Sequence, residues 1–146
     1  MLTFDHIGIL VKDIGAATDE FGGAIDAVAA TARFDDHGLT VSVRFLRDRG
    51  GMVYELIAPL GESSVVSSAL RKNANIINQL AYKTSSLSAD AALLKVKGYM
   101  PLGPAKPALA FGGGHVQFMM SPMGFIVELI EAPAHSHRFH RLAATP

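Results

Sequence analysis

The chain has 146 residues, 49% of them hydrophobic, with 13 basic side chains against 13 acidic ones and no cysteine. That is enough apolar surface for one compact domain, or for two small modules sharing a core, and the balanced charge gives no footprint for nucleic acid or an anionic membrane. Without thiols, disulfides and thiolate chemistry are excluded, and any metal must be held by nitrogen and oxygen.

Phe4 to Val11 reads as a short apolar strand. Ile14, Ala17 and Phe21 follow at helical spacing, and Gly22-Gly23 interrupts them. Ala24 to Phe34 is Ala-rich and fits either a further helical turn or a return strand. Asp35-Asp36-His37-Gly38 is a turn signal. Leu39 to Leu46 alternates like a strand, Arg47 to Gly51 makes a hairpin turn, and Met52 to Ala58 is the next strand. Pro59 to Asn75 is connecting chain in which Ser63 or Ser64 caps a short helix through Leu70 and Arg71.

Ile77 to Thr84 is again a strand. Ser86 or Ser88 caps a helix over Ala89 to Lys97, which Gly98 ends. Tyr99 to Leu102 is a short strand, Gly103 to Pro107 a loop, and Gly112-Gly113-Gly114 a mobile turn. Val116 to Met120 and Phe125 to Glu131 close the pattern. Ala134 to Pro146 has little pattern, and its His135, His137 and His140 read as a solvated tail. No charged-then-apolar leader pattern opens the chain, and no apolar run approaches the roughly 20 residues of a membrane span. A cytoplasmic protein without a membrane partner is the expectation.

The two halves repeat. Asp5-His6-Ile7-Gly8-Ile9 falls on Asn78-Gln79-Leu80-Ala81-Tyr82, and Val43-Arg44-Phe45-Leu46 on Val116-Gln117-Phe118-Met119. Val53-Tyr54-Glu55-Leu56-Ile57 falls on Ile126-Val127-Glu128-Leu129-Ile130, all at one offset of 73. A repeat of this size is one supersecondary unit stacked on its copy. It yields modules at 1–60 and 76–133, a linker at 61–75 and a tail at 134–146, all in one structural domain.

His6 matches Gln79, and Glu55 matches Glu128. Strand parity sets Val53, Glu55 and Ile57 on one face, and Ile126, Glu128 and Ile130 likewise, so each carboxylate shares its face with apolar neighbours. Alone, each polar residue has a plain reading: a packed histidine, an edge glutamate in solvent, a glutamine bonded to backbone. Together at symmetric positions they form a donor set for a divalent ion such as Co, Ni, Mn, Zn, Fe or Mg.

Strand–helix–strands written twice, with His in the first strand and Glu in the last, resembles the vicinal oxygen chelate superfamily of glyoxalases, bleomycin-resistance proteins and dioxygenases. Asp5-His6-Ile7-Gly8-Ile9, Glu55-Leu56-Ile57-Ala58-Pro59-Leu60, Gly61-Glu62-Ser63-Ser64, Gln79-Leu80-Ala81-Tyr82 and Val127-Glu128-Leu129-Ile130 resemble its methylmalonyl-CoA epimerase branch most. The resemblance implies an α+β fold of two βαβββ modules, whose eight-stranded mixed sheet forms a cup with the helices outside.

It also implies metal ligation by His6, Glu55, Gln79 and Glu128, with Glu128 as catalytic base, and an isomerase, epimerase or lyase forming the enolate of a small thioester. A homodimer taking an acyl-CoA follows from the same likeness, with Lys72, Lys83 and Arg44 available to its anionic groups. Two residues depart from the branch. Gln79 stands where it usually has His, and Val43 where it carries a second catalytic Glu. The alternative is a non-catalytic antibiotic-binding cup. An iron dioxygenase fits less well, since such sites favour two His and one carboxylate and this chain offers one strand His.

Overall fold

The computed structural model describes residues 1–72 and 76–143. β1 (Thr3–Leu10) leads into α1 (Ile14–Ala24), whose first turn is capped by Asp13, the side chain accepting from Ala16 N at 2.7 Å. The helix runs through Gly22-Gly23 instead of breaking there. Gly22 is buried, and a Cβ added to it would stand 3.5 Å from Leu46, so the helix packs closely on the sheet at that point.

The undecided Ala-rich stretch becomes strand: β2 (Ala29–Ala30), followed by β3 (Phe34–Asp36). β4 (Val41–Arg47) and β5 (Val53–Pro59) complete the first half. α2 (Ser67–Arg71) lies in the connection, but neither Ser63 nor Ser64 caps it. Val66 occupies that position without a side-chain bond, and Ser64 Oγ donates to Thr40 O at 2.6 Å. Residues 73–75 of the linker and 144–146 of the tail lie outside the described residues.

The second half follows the first: β6 (Ile77–Lys83), α3 (Leu87–Val96), β7 (Met100–Pro101), β8 (Lys106–Pro107), a 3₁₀ turn at Leu109–Phe111, β9 (His115–Met120) and β10 (Ile126–Glu131). Of the two candidate caps, Ser86 serves α3, accepting from Ala89 N, and Gly98 with φ +89° leads the chain out. β11 (His140–Arg141) ends the described chain.

One open mixed sheet runs β11-β2-β4-β5-β1-β6-β10-β9-β7, with β3 on β4 and β8 on β9. Eleven strands replace the expected eight: two short strands, β2 and β3, pair with β4, two more, β7 and β8, pair with β9, and the tail adds β11. The repeat is kept in the ladder. β1 runs parallel to β5 with Gly8 opposite Glu55, and β6 runs parallel to β10 with Ala81 opposite Glu128. The antiparallel pairs match too, Phe45 opposite Glu55 and Phe118 opposite Glu128. β1 and β6 join the halves antiparallel at the centre.

The faces divide as strand parity requires. Leu46, Leu56 and Ala58 pack with Ile14 of α1, and Met119, Val127 and Leu129 with Leu87 and Ala91 of α3. The opposite face is concave. Leu10, Val43, Phe45, Ile57, Val116 and Ile130 cluster there with Ala108, Ala110 and Phe111 from the 3₁₀ segment. Glu55 and Glu128 belong by parity to this concave face.

Candidate functional site

His6, Glu55, Gln79 and Glu128 meet at the floor of the cup, on the four central strands. All four are buried, His6 completely. His6 Nε2 lies 2.9 Å from Glu55 Oε2 and 3.5 Å from Glu128 Oε2. Gln79 Nε2 donates to Glu55 Oε2 at 3.2 Å and to Glu128 Oε2 at 2.5 Å. Each module thus contributes one carboxylate and one nitrogen-bearing side chain to a single centre.

Small residues make room for this. His6 stands opposite Ala81, and Gln79 stands opposite Gly8. A Cβ on Gly8 would fall 2.5 Å from Gln79 Cγ and 2.9 Å from Cδ, so only glycine leaves space for the amide to cross the strand. Above the floor opens a cavity of about 520 Å³, walled by Leu10, Val41, Val43, Ile57, Val116 and Phe118 among others, with Glu55, Gln79 and Glu128 exposed to it. Such a mostly apolar hollow with a few convergent polar groups is the usual form of a small-molecule site.

Burial pushes Glu128 up to about 7, reinforced by the neighbouring Glu55 charge and opposed by its hydrogen bond to His6. Burial acts to lower His6, but the Glu55 charge and the bonds to Asp5, Glu128 and Glu55 outweigh it and hold the imidazole well above its ordinary value. Two buried carboxylates therefore share one imidazolium and one amide, and no Lys or Arg among the described residues pairs with either. Buried charge left so thinly compensated is costly. A dication fits the arrangement: ligand atoms of His6, Glu55 and Glu128 all lie within 4.8 Å of one another. A half-turn of the Gln79 amide would present its oxygen to the same centre.

Asp5 was not expected at the site. It is the extra residue of a bulge in β1, where Phe4 pairs with Tyr82 and His6 with Ala81. The bulge turns the Asp5 carboxylate back onto His6, and its Oδ2 accepts from His6 Nδ1 at 2.7 Å and from His137 Nε2 at 2.8 Å. Burial alone would raise Asp5, but these two bonds and their charges hold it well below the carboxylate range.

The solvated-tail reading is therefore corrected for His137, whose side chain is 7% exposed, and for His135, which is part-buried; His140 is exposed. Lys83 and Arg44 are likewise committed elsewhere. Lys83 Nζ donates to His135 O at 2.6 Å and pairs with Asp5 at 3.4 Å, and Arg44 Nε donates to Thr31 O at 2.9 Å. Lys72 is exposed just past α2.

Paired modules, a central parallel–antiparallel–parallel set of strands and a buried carboxylate–imidazole–amide floor define a cup around one cavity. Residues 5–118 match the family model described as the Glyoxalase/Bleomycin resistance protein/Dioxygenase superfamily, and the chain belongs to that superfamily. It is 32% identical over 117 residues to an ethylmalonyl-CoA/methylmalonyl-CoA epimerase of Cereibacter sphaeroides, covering 79% of this chain and 85% of that one.

The structure is similar to that of methylmalonyl-CoA epimerase from Mycobacterium tuberculosis, with a TM-score of 0.72 at 26% identity over 87% of this chain and 85% of that one. It is also similar to a methylmalonyl-CoA epimerase solved with methylmalonyl-CoA and NH4+, with a TM-score of 0.73 at 27% identity over 92% and 97%. No helix among the described residues is long and apolar enough to cross a membrane.

Proposed function

We propose that this protein is a metal-dependent isomerase or epimerase that forms the enolate of a small acyl thioester, with His6, Glu55, Gln79 and Glu128 holding its divalent ion. Kinship with the epimerases supports the reaction type. The observation that carries the metal centre is the convergence of two buried carboxylates, one imidazole and one amide beneath an apolar cavity. An acyl-CoA is the proposed substrate because a related epimerase is seen with methylmalonyl-CoA. A homodimer, as the family resemblance implies, and a cytoplasmic location, which the cysteine-free composition suits, complete the proposal.

When bound, a Co, Ni, Mn, Zn or Fe ion supplies positive charge for the oxygen that becomes anionic as a proton leaves the adjacent carbon. Glu128 is the base. Burial acts to raise its proton affinity, which favours uptake of the substrate proton. The C–H pair moves into the enolate double bond, the proton goes to the Glu128 carboxylate, and the reverse transfer restores a C–H bond. The apolar walls keep water from that carbon.

Val43 lines the cavity where the resemblance puts a second Glu, and an isopropyl group cannot deliver a proton to the opposite face. With one base on one face, the chemistry that fits is an isomerisation in which the proton returns to a neighbouring carbon; inversion of the same centre requires a further acid on the opposite face.

Calorimetric titration of the metal-stripped protein with Co²⁺, Ni²⁺, Mn²⁺ and Zn²⁺ tests the centre. Stoichiometric binding is expected, and Glu128→Ala abolishes it. Methylmalonyl-CoA in deuterated water should then exchange its α-proton with the wild type and not with the variant. Wild-type binding no stronger than that of the tail histidines overturns the metal reading. The apolar wall and Val43 then favour the second reading, a non-catalytic pocket for an organic ligand such as an antibiotic.

A further inference from the structure

The C-terminal segment is tied to one side of the cup's floor, where Phe139 packs against the apolar cluster of the concave face. Its strand β11 pairs with β2, His140 opposite Ala30. Phe139 lies 4.6 Å beneath the Arg47 guanidinium, and the His137 ring lies on Phe45 with centroids 4.2 Å apart. These contacts aim His137 Nε2 at the Asp5 oxygen that His6 Nδ1 also uses. Lys83 closes the arrangement, holding Asp5 Oδ1 and the His135 carbonyl together.

We propose that His137 is a positioning residue for His6, acting through Asp5; the inference rests on the metal-centre reading above. An imidazole can turn about its Cβ–Cγ bond; Phe45 and Phe111 pack on the His6 ring, and a partner on its far nitrogen decides which nitrogen faces the carboxylates and keeps it free to ligate. Asp5 is that partner. It sits on a bulge, and the ladder does not orient its carboxylate. His137 and Lys83 do, one on each oxygen. Docking of the tail thus sets the aim of a ligand on the first strand, and β1 and the C-terminal segment meet beside the site.

His137→Phe keeps a ring against Phe45 and removes the donor, whereas His137→Gln keeps a donor near the Nε2 position. Titration with Co²⁺ alone should show the Phe variant 10–100-fold weaker than wild type, as for other partners of metal-bound histidines. The Gln variant should recover most of that loss, and all three metal-free proteins should be fully folded under the titration conditions, with a lower urea midpoint for the Phe variant because Asp5 loses a partner. Equal Co²⁺ affinity of the Phe variant and wild type overturns the proposal. So does a loss that is not restored by Gln, which marks a packing role.

A second readout needs no metal. The His6 Nδ1 proton should give a slowly exchanging NMR signal in wild type and in His137→Gln, and should be lost in His137→Phe. If wild type fails to bind Co²⁺, the metal reading falls, and this signal alone decides whether His137 positions His6. Its persistence in the Phe variant overturns the proposal.

Discussion

At the residue scale the site depends on what stands opposite each donor as much as on the donors. Gly8 is the sharpest case, because Gln79 occupies the space of its missing side chain. Gly8→Ala should push the amide off the floor, costing about 1–3 kcal/mol as overpacking does and weakening Co²⁺ binding at least tenfold. Unfolding in urea and calorimetry read the two effects. An unchanged affinity would mean that Gln79 is not a ligand.

On the proposed reading, Val43 bears on stereochemistry at the same scale. With one base, wild type should exchange the α-proton of methylmalonyl-CoA faster than it inverts the centre. Val43→Glu adds a carboxylate to the cavity wall and should raise inversion relative to exchange. Chiral analysis beside deuterium incorporation reads the ratio, and inversion keeping pace with exchange in wild type would place a second acid elsewhere. The four floor residues were legible because they recur at one offset on apolar faces. Asp5 was not, since a bulge breaks the alternation that parity reasoning uses, and nothing in Phe4-Asp5-His6 marks the extra residue.

At the element scale, strands with strong alternation were read within a residue or two, and short elements shaped by tertiary contact were not. β2 is only Ala29–Ala30 and exists because Arg47 and Leu46 pair with it on one side and the tail on the other. α1 tolerates its glycine pair, each costing about 1 kcal/mol relative to Ala in an exposed helix, because Gly22 packs against Leu46 and Asp13 caps the start. The tail was misread for the same reason: its histidines gain partners only after the sheet has formed.

Phe45 is where those elements meet. It is fully buried, edge-on to His6 at 5.2 Å and 5.9 Å from Phe111, with His137 on its face. Phe45→Ala should cost about 3–5 kcal/mol, the range for emptying a large aromatic site in a core. It should also loosen the tail, seen as faster hydrogen exchange at Leu142 N, which donates to Val28 O. A urea midpoint within experimental error of wild type would show that the floor does not rely on this ring.

At the scale of the molecule, the proposed ligands are split evenly: His6 and Glu55 from one module, Gln79 and Glu128 from the other, meeting across the β1–β6 join. A bound cation therefore fastens the halves, and its free energy adds to that of the whole fold. At a hundredfold excess over the dissociation constant this is about 2.7 kcal/mol, or on the order of 5–10 °C in melting temperature for a chain of this size.

The pH dependence has a definite sign. Glu128 is raised to about 7 in the fold, so its protonated form contributes stability that is complete below its unfolded value of 4.5 and disappears as pH rises through 7. His6, also raised, acts in the same direction, with a contribution complete below 6.5 and lost as pH passes its folded value. His135, lowered by burial, opposes them weakly near its ordinary 6.5. The metal-free protein should therefore melt at falling temperature from pH 5 to pH 8. The increment produced by Co²⁺ should grow over the same interval, because ligation requires both groups to release their protons. Calorimetric melting with Co²⁺ and with excess chelator at each pH measures both curves. A Co²⁺ increment that is flat with pH would place the ion away from His6 and Glu128.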